Sequence, residues 1–465
     1  MADLPAFSGV ARMEAGSNCT GTLVDTGVPE GPAYILTNGH CVGDVGRSRQ
    51  VTTLNEPWFG IAEFFRTAES LDSTLEVEVV ELEYSTMRGT DTAVVRLDAT
   101  LGELKELGVA PIALADAEPA PGLDVVNIGV PVQDLDHDDW VLRRGECALD
   151  QQHTVLEFGW LWRDVWANDC PGIIRGSSGS PLLEVGADGL PVQVAGVINT
   201  TSWGVTAADG GACFINRPCQ VGGGSPVMVE ETSYAQSVAG LGRCFAESTG
   251  EFAVGGECPL PVSSVWAAEG GGAFRGGGEP DSNGRVPQAR LVGREAGEVR
   301  TAVVPLGDAT ACESAGTYSS AAALPLVEAA EEWSLDGTEV DVDLPVDEGW
   351  YALCAVAGED YAGAATVVFE VDRTPPVVAA DAVLYREPEL GVSVVPRMDP
   401  PEISNVRFTW GPEGEVDCSD TGAFQEFFVV PLWLENAELP VTYCVFGMDE
   451  AGNATEVVEV PIRLQ

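Results

Sequence analysis

Apolar residues along the first half of the chain recur at every second position, in short runs. Leu75-Glu76-Val77-Glu78-Val79 alternates without a break, and Val192-Gln193-Val194-Ala195-Gly196-Val197-Ile198 alternates before becoming continuously apolar. Such alternation marks a strand with one face buried. Gly, Pro and Asp clusters separate the runs, so residues 1–245 are predicted to form many short strands joined by turns, in an all-β barrel or sandwich. Helical spacing is scarce. Thr232-Ser233-Tyr234-Ala235-Gln236-Ser237-Val238 is the exception, where a leading hydroxyl residue predicts the cap of a short helix.

The pattern breaks at residues 261–285, which hold Gly270-Gly271-Gly272 and Gly276-Gly277-Gly278. That composition predicts a flexible linker. Residues 1–260 are therefore expected to keep any activity of their own when 286–465 are removed. Beyond the linker the chain repeats. Tyr351-Ala352-Leu353-Cys354 leads to Asp360-Tyr361-Ala362-Gly363 and then to the alternating Thr366-Val367-Val368-Phe369-Glu370-Val371. Later, Tyr443-Cys444 leads to Asp449-Glu450-Ala451-Gly452-Asn453 and then to Glu456-Val457-Val458-Glu459-Val460. Each copy has one upstream cysteine, Cys312 or Cys418, suited to a clamp within one module. Asp372-Arg373-Thr374-Pro375-Pro376 closes the first copy, where prolines stop a strand. Two modules, 286–374 and 375–465, follow. Their short strands and turn signals resemble immunoglobulin-like or fibronectin type III-like sandwiches. Trp333, Trp350, Trp410 and Trp433 are expected in the sandwich cores. A cell-surface or glycan ligand for this tail is an open alternative.

Charge and cysteines narrow the setting. The chain of 465 residues is long enough for about three domains. Its net charge of −50 is spread evenly, with 13 basic and 37 acidic residues before position 261 and 10 and 36 after it. A surface of this sign repels nucleic acid and anionic membranes, and it favours solubility. The twelve cysteines are Cys19, Cys41, Cys147, Cys170, Cys213, Cys219, Cys244, Cys258, Cys312, Cys354, Cys418 and Cys444. Their number is even and no Cys-x-x-Cys occurs. With only three histidines, a zinc site is hard to assemble. Disulfides in an oxidising compartment are the better account, so a secreted, periplasmic or cell-surface protein is expected. Sequential pairing is expected, because each bridge then stays within one module, with Cys244 and Cys258 bracketing the loop that closes the first. No apolar run reaches membrane-spanning length, and the first residues do not read as a signal peptide; a trimmed leader is inferred. No cofactor is called for. The acidic loop at 134–139, around His137, leaves a calcium site as an open alternative.

Three motifs carry chemistry. Thr37-Asn38-Gly39-His40-Cys41 offers an imidazole, Thr90-Asp91-Thr92-Ala93-Val94-Val95 a carboxylate heading an apolar strand, and Gly176-Ser177-Ser178-Gly179-Ser180-Pro181 a hydroxyl on a tight glycine turn. A serine hydroxyl needs a base, and the base needs an orienting acid. The three motifs, with spacings of 51 and 87 residues, resemble the trypsin/chymotrypsin-type serine proteases. That resemblance implies two successive six-stranded barrels over residues 1–260. It also implies a triad of His40, Asp91 and Ser178, and an oxyanion hole from the backbone N–H groups of Gly176 and Ser178. It pairs Cys19 with Cys41 beside the histidine. Ser177 and Ser180 do not fit the glycine spacing of the nucleophile.

Departures from the family matter too. Ser177 stands where the digestive enzymes carry an aspartate for zymogen activation, and the Gly-x-Ser-Gly-Ser-Pro form looks more like the bacterial glutamyl-endopeptidase branch. Cys147 and Cys170 fit that branch. Gly172 stands where cleavage after basic residues wants an acid, and Gly196-Val197-Ile198-Asn199-Thr200 lacks the histidine that glutamyl specificity wants. Ile173, Ile198, Thr200 and Thr201 are candidate walls of the specificity pocket, with small or apolar side chains as the expected preference. The implied function is a secreted serine endopeptidase acting on proteins or peptides. The alternative is an inactive homologue that works as an extracellular binding protein.

Overall fold

The computed structural model describes residues 4–464 apart from 43–50, 207–212, 224, 269–271, 278, 283, 330–336, 378–380, 388, 398–402 and 429. Its elements are almost all strands. The first six are β1 (Val10–Glu14), β2 (Asn18–Leu23), β3 (Pro32–Thr37), β4 (Thr52–Phe64), β5 (Leu75–Thr86) and β6 (Thr92–Thr100). They close into a barrel in the order β1-β2-β3-β6-β5-β4. Met13, Leu23, Ile35, Phe64, Leu82, Val95 and Leu97 fill it, as inward positions of a small barrel must. The alternation at 75–79 falls in β5, as the pattern predicts. One short helix, α1 (Leu101–Glu106), follows β6. Its capping box is complete: Thr100 Oγ1 accepts from the Glu103 amide at 3.2 Å, and the Glu103 carboxylate accepts from the Thr100 amide at 2.8 Å.

Eight further strands make the second unit. These are β7 (Asp124–Gly129), β8 (Arg143–Glu157), β9 (Trp160–Asn168), β10 (Pro181–Val185), β11 (Pro191–Thr201), β12 (Cys219–Gly222), β13 (Ser225–Met228) and β14 (Ser233–Ser237). The sheet runs β13-β12-β8-β7-β10-β11-β14-β9, and the added β8–β9 pairing closes six of these strands into a ring. This corrects the expected helix at 232–238. Residues 233–237 are a strand because they pair with β11 on one side and β9 on the other. Two rows of ladder hydrogen bonds outweigh the weak helix preference of this short hydroxyl-rich segment. Phe7, Tyr34, Val94, Ile128, Val194 and Val197 pack between the two barrels.

The remaining strands form two further units, each a pair of sheets. The first unit joins the sheet β15 (Val265–Ala267), β17 (Gln288–Gly293), β20 (Thr338–Asp341) to a second sheet. That second sheet holds β16 (Ala273–Phe274), β22 (Ala365–Val371), β21 (Gly349–Ala357), β18 (Gly297–Pro305) and β19 (Leu324–Leu326). Val265, Leu291 and Val340 face Val299, Leu353 and Phe369 across its core. The second unit is built the same way, with Val392, Val394 and Leu434 against Val406, Phe408, Tyr443 and Val445. The glycine-rich stretch at 261–285 is not a free linker: it supplies β15 and β16 to the first unit. The repeated Asp-x-x-Gly turns are aspartate-capped, with Asp360 Oδ1 accepting from the Gly363 amide at 3.1 Å and Asp449 Oδ1 from the Asn453 amide at 2.8 Å.

The expected tryptophan cores are corrected in part. Trp410 and Trp433 are exposed at the surface of the second unit, and Trp350 is half-buried. Trp433 points away from the face that Leu434 fills, whereas Trp410 shares the face of Phe408 and stacks on it at 5.8 Å near the end of the strand. Trp333 falls outside the described residues.

All twelve cysteines are bridged, in sequence order. In the two barrels Cys19 pairs with Cys41, Cys147 with Cys170, and Cys213 with Cys219 at the start of β12. Cys244 pairs with Cys258 and closes the segment that leaves the second barrel. Each sandwich unit then holds one bridge, Cys312 to Cys354 on β21 in the first and Cys418 to Cys444 in the second. Cys312, Cys354 and Cys444 are wholly buried, and Cys418 nearly so, so each bridge sits within a hydrophobic cluster of its own unit. Among the described residues no helix is long and apolar enough to cross a membrane.

Candidate active site

The strand register brings base and acid together. β3 and β6 are antiparallel neighbours with Thr37 opposite Ala93, so the turn that follows β3 and the residue that precedes β6 meet at one end of the barrel. His40 lies on that turn (Gly39–Cys41) and Asp91 is the residue just before β6. Asp91 is fully buried. Its Oδ2 is 2.7 Å from His40 Nδ1, and its Oδ1 accepts from the His40 backbone amide at 3.0 Å. Asn38 Nδ2 donates to the Asp91 carbonyl at 2.9 Å. A carboxylate held at both oxygens fixes the ring plane, and a proton on Nδ1 leaves Nε2 as the free base. Gly39 is required here, because a Cβ would overlap the Thr86 carbonyl.

Two influences oppose each other on His40. Burial pulls the imidazole pKa down, but the charge and hydrogen bond of Asp91, helped by the charge of Glu157, leave it above the ordinary histidine value. The side chain still keeps a quarter of its surface exposed.

Ser178 sits on the loop between β9 and β10. Of its three serines, Ser177 is 2% exposed and Ser180 0%, while Ser178 is half-buried. Ser180 Oγ is tied to Asn127 Nδ2 at 2.8 Å. Ser178 is the least buried of the three, and among the described residues its Oγ makes no hydrogen bond. Two glycines in the left-handed region shape the turn, Gly176 at φ +99 and Gly179 at φ +83. A Cβ on Gly176 would come within 2.7 Å of the Val130 carbonyl, and one on Gly179 would overlap Thr20 O and Thr37 Oγ1. A Gly179→Ala variant therefore meets both a backbone penalty of about 1–2 kcal/mol and overpacking of about 1–3 kcal/mol. It is expected to unfold several degrees lower and to lose activity at least a hundredfold; an unchanged melting curve would contradict this.

Thr20, which follows Cys19 in β2, holds the loop in place. Its amide donates to Ser178 O at 2.8 Å, and its hydroxyl donates to Gly176 O at 2.9 Å while accepting from the Val130 amide at 2.9 Å. Its own carbonyl accepts from Thr37 Oγ1 at 2.8 Å. One residue of the first barrel thus braces the nucleophile loop of the second. The Gly179 amide completes the brace by donating to Ile198 O at 2.8 Å. Among the described residues the amides of Gly176 and Ser178 meet no protein acceptor, although buried amides are nearly always paired. Two free donors at this loop suit a transient oxyanion. Among the described residues no hydrogen bond joins Ser178 Oγ to His40 Nε2; in unliganded sites that bond is commonly long and closes on substrate.

Of the four candidate pocket walls, Ile173 and Ile198 are corrected. Both pack with Leu149, Trp166 and Leu182 in the core of the second barrel. The inward phase of β11 puts Ile198 there. Thr200 and Thr201 stay half-buried, and Thr201 Oγ1 is bonded to Ser233 Oγ at 2.9 Å. Sequence reasoning missed Glu157, a buried acid at the end of β8. One of its oxygens, Oε1, accepts from the Asn216 amide at 2.9 Å. Burial pushes its carboxyl up, against the Thr200 hydroxyl, the Asn216 amide and the charge of His40, which favour ionisation.

The other candidates have plainer roles. His137 is bound to Arg66, whose Nη2 donates to its carbonyl at 3.2 Å, and its ring lies against Trp140. Among the described residues the acidic loop at 134–139 does not gather three ligand atoms. Among the described residues the one group that does is Cys19, His40 and Cys41, whose sulfurs are joined to each other.

Residues 19–190 match the family model described as trypsin-like peptidase domain. No curated protein matches the chain significantly. The fold is similar to that of a thermostable serine protease, AL20, from an extremophilic microorganism. The identity is 10%, half of this chain and 93% of the other are covered, and the TM-score is 0.33. Protease Anisep from Arthrobacter nicotinovorans gives 12% identity, 50% and 90% coverage and a TM-score of 0.33. An inactivated protease paralogue of the scabies mite gives 18%, 51% and 93%, and 0.34. The segment that holds His40, Asp91 and Ser178 thus matches the trypsin-like peptidase domain, within an all-β chain.

Proposed function

We propose that the chain is an extracellular serine endopeptidase that cleaves by acyl transfer through His40, Asp91 and Ser178. The observation that carries this reading is the two-point grip of the buried Asp91 on His40, at 2.7 and 3.0 Å, at the end of the barrel that braces the Ser178 loop. His40 Nε2 takes the proton of Ser178 Oγ as that oxygen attacks the scissile carbonyl. It returns the proton to the leaving amine, and water then releases the acyl group by the same route. Asp91 stabilises the imidazolium formed in between. The carbonyl oxygen, negative in the tetrahedral intermediate, meets the free amides of Gly176 and Ser178; such a donor contributes about 3 kcal/mol at the transition state.

Specificity follows from charge. Glu157 beside Thr200 and a net charge of −50 disfavour acidic residues near the scissile bond. Small or apolar side chains are the proposed preference, despite the likeness of the loop to the glutamyl branch. The two sandwich units are proposed to be immunoglobulin-like modules, each clamped by its own disulfide, Cys312–Cys354 or Cys418–Cys444.

Cleavage of a peptide library with mass-spectrometric readout tests both activity and preference, and cleavage after glutamate would reverse the preference. The pH dependence has a definite sign. His40 works as a base only when neutral, and its pKa is raised. The acid limb of kcat/KM is therefore expected above the ordinary histidine value of about 6.5, with activity falling about tenfold per pH unit below it. A limb below about pH 6 would contradict the Asp91–His40 coupling.

A further inference from the structure

The peptidase and the first sandwich unit share a seam. Tyr84 Oη donates to Pro261 O at 2.8 Å, and Arg294 reaches back to Thr52 O at 2.6 Å. Leu156 and Leu161 of the β8–β9 hairpin pack against Leu306, Ala309, Ala352 and Val368 of the sandwich. Arg163 Nη1 and Glu313 Oε1 are paired at 2.6 Å. A free linker between independent domains makes no such contacts.

Arg88 is the most specific of them. It stands three residues before Asp91, on the loop that joins β5 to β6. The residue is 6% exposed. Nε donates to Ala364 O at 2.8 Å and Nη2 to Ala362 O at 2.6 Å, both on the aspartate-capped turn of the sandwich. Burying a guanidinium is unfavourable unless it is hydrogen-bonded, and here the acceptors belong to the other unit. Met87 of the same loop is buried among Val155, Trp160 and Trp162 of the second barrel. Met87, Arg88, Gly89 and Thr90 line a cavity of about 300 Å³ in the seam, which Arg163, Gln236 and Glu313 also face. Beyond Met87 the loop is held by hydrogen bonds, among them those of Arg88 to the sandwich and that of the Gly89 carbonyl, which accepts from the Arg163 amide at 2.9 Å. Gln236 extends the same set to the acid itself. It accepts from the Asp91 amide at 3.4 Å and donates to Arg163 O at 3.0 Å.

We infer that the first sandwich unit is a working part of the catalytic apparatus, which it joins through Arg88. Held by the turn at 362–364, Arg88 is a positioning residue that fixes the loop presenting Asp91 to His40. The inference rests on the peptidase reading for its consequence in rate, and on the seam alone for its consequence in geometry. It reverses the expectation that residues 1–260 act unaided.

The test uses the full chain as wild type, Arg88→Ala and Arg88→Lys. Isotope labelling of the three histidines follows the titration of His40 by NMR, beside kcat, KM and the fraction of protein labelled by a fluorophosphonate. In Arg88→Ala, Asp91 supports His40 less firmly. The His40 pKa is expected to fall, the acid limb to move to lower pH, and kcat to drop at least tenfold per labelled site with KM within twofold. Arg88→Lys, which keeps one donor to the carbonyls, is expected to recover part of each. Loss of folding alone would lower the labelled fraction without moving the His40 titration, and that result would overturn the inference. So would an Arg88→Ala protein with an unchanged His40 titration. A wild type that neither cleaves nor labels would defeat the peptidase reading instead, while the His40 titration still decides the role of Arg88.

Discussion

Ser178→Ala is expected to reduce kcat by about a millionfold on any peptide the wild type cleaves, the loss typical of removing the nucleophile of a serine protease. The fold is expected to persist. Ser178 Oγ makes no hydrogen bond among the described residues, and the loop is held through backbone groups of residues 176, 178 and 179. Parallel changes at Ser177 and Ser180 separate nucleophile from scaffold. Ser180→Ala removes one of the two acceptors of Asn127 Nδ2, which keeps Pro181 O at 3.2 Å, at a cost of about 1 kcal/mol in stability. Its effect on kcat is expected to be far smaller than that of Ser178→Ala. Equal losses at the two positions would mean that the loop is a structural turn.

Asp91→Asn is expected to cost about ten-thousandfold in kcat while leaving the melting temperature nearly unchanged. The amide fits the same space, but its nitrogen donates where Oδ2 or Oδ1 now accepts from His40 Nδ1 and the His40 amide. The ring is then held in the tautomer whose Nε2 carries the proton, and the base is lost. Removing the negative charge also takes away what raises the His40 pKa, so the residual activity is expected to have its acid limb at lower pH than the wild type. Measured pH profiles of the two proteins check this directly. Residual activity within tenfold of wild type would show that Asp91 does not orient the base.

The base, acid and nucleophile were legible in the sequence because each is a local motif with its own backbone reason. Gly39 makes room against Thr86 O, the strand after Asp91 pairs with the strand before His40, and Gly176 and Gly179 need positive φ. The all-β class was legible from period-two alternation of the kind seen at 75–79. Thr20, Gln236, Glu157 and Arg88 were not legible. None has a local signature, and each acquires its role from a distant partner or from a shared seam; Arg88 to Ala364 is the extreme case, at a separation of 276.

The glycine-rich stretch misled for a similar reason. Composition cannot distinguish glycine kept for freedom from glycine kept for close approach. A Cβ at Gly276 would meet Pro345 O at 2.8 Å, and one at Gly272 would press on Glu450 Oε1 at 3.1 Å. The first contact lies within the first sandwich unit, and the second lets the second unit approach. The helix expected at 232–238 failed because tertiary pairing on both edges of β14 decides a segment of five residues, whatever its local preference. Ile198 failed as a pocket wall because a continuously apolar run does not reveal which of its residues face the core.

Covalent labelling tests the central claim most directly. The full chain is treated with a fluorophosphonate in mildly alkaline buffer, digested and sequenced by mass spectrometry. A single adduct on Ser178, absent from Ser178→Ala and about ten-thousandfold slower to form in Asp91→Asn, is the predicted result. No adduct on folded wild-type protein, or an adduct that persists in Ser178→Ala, would contradict it.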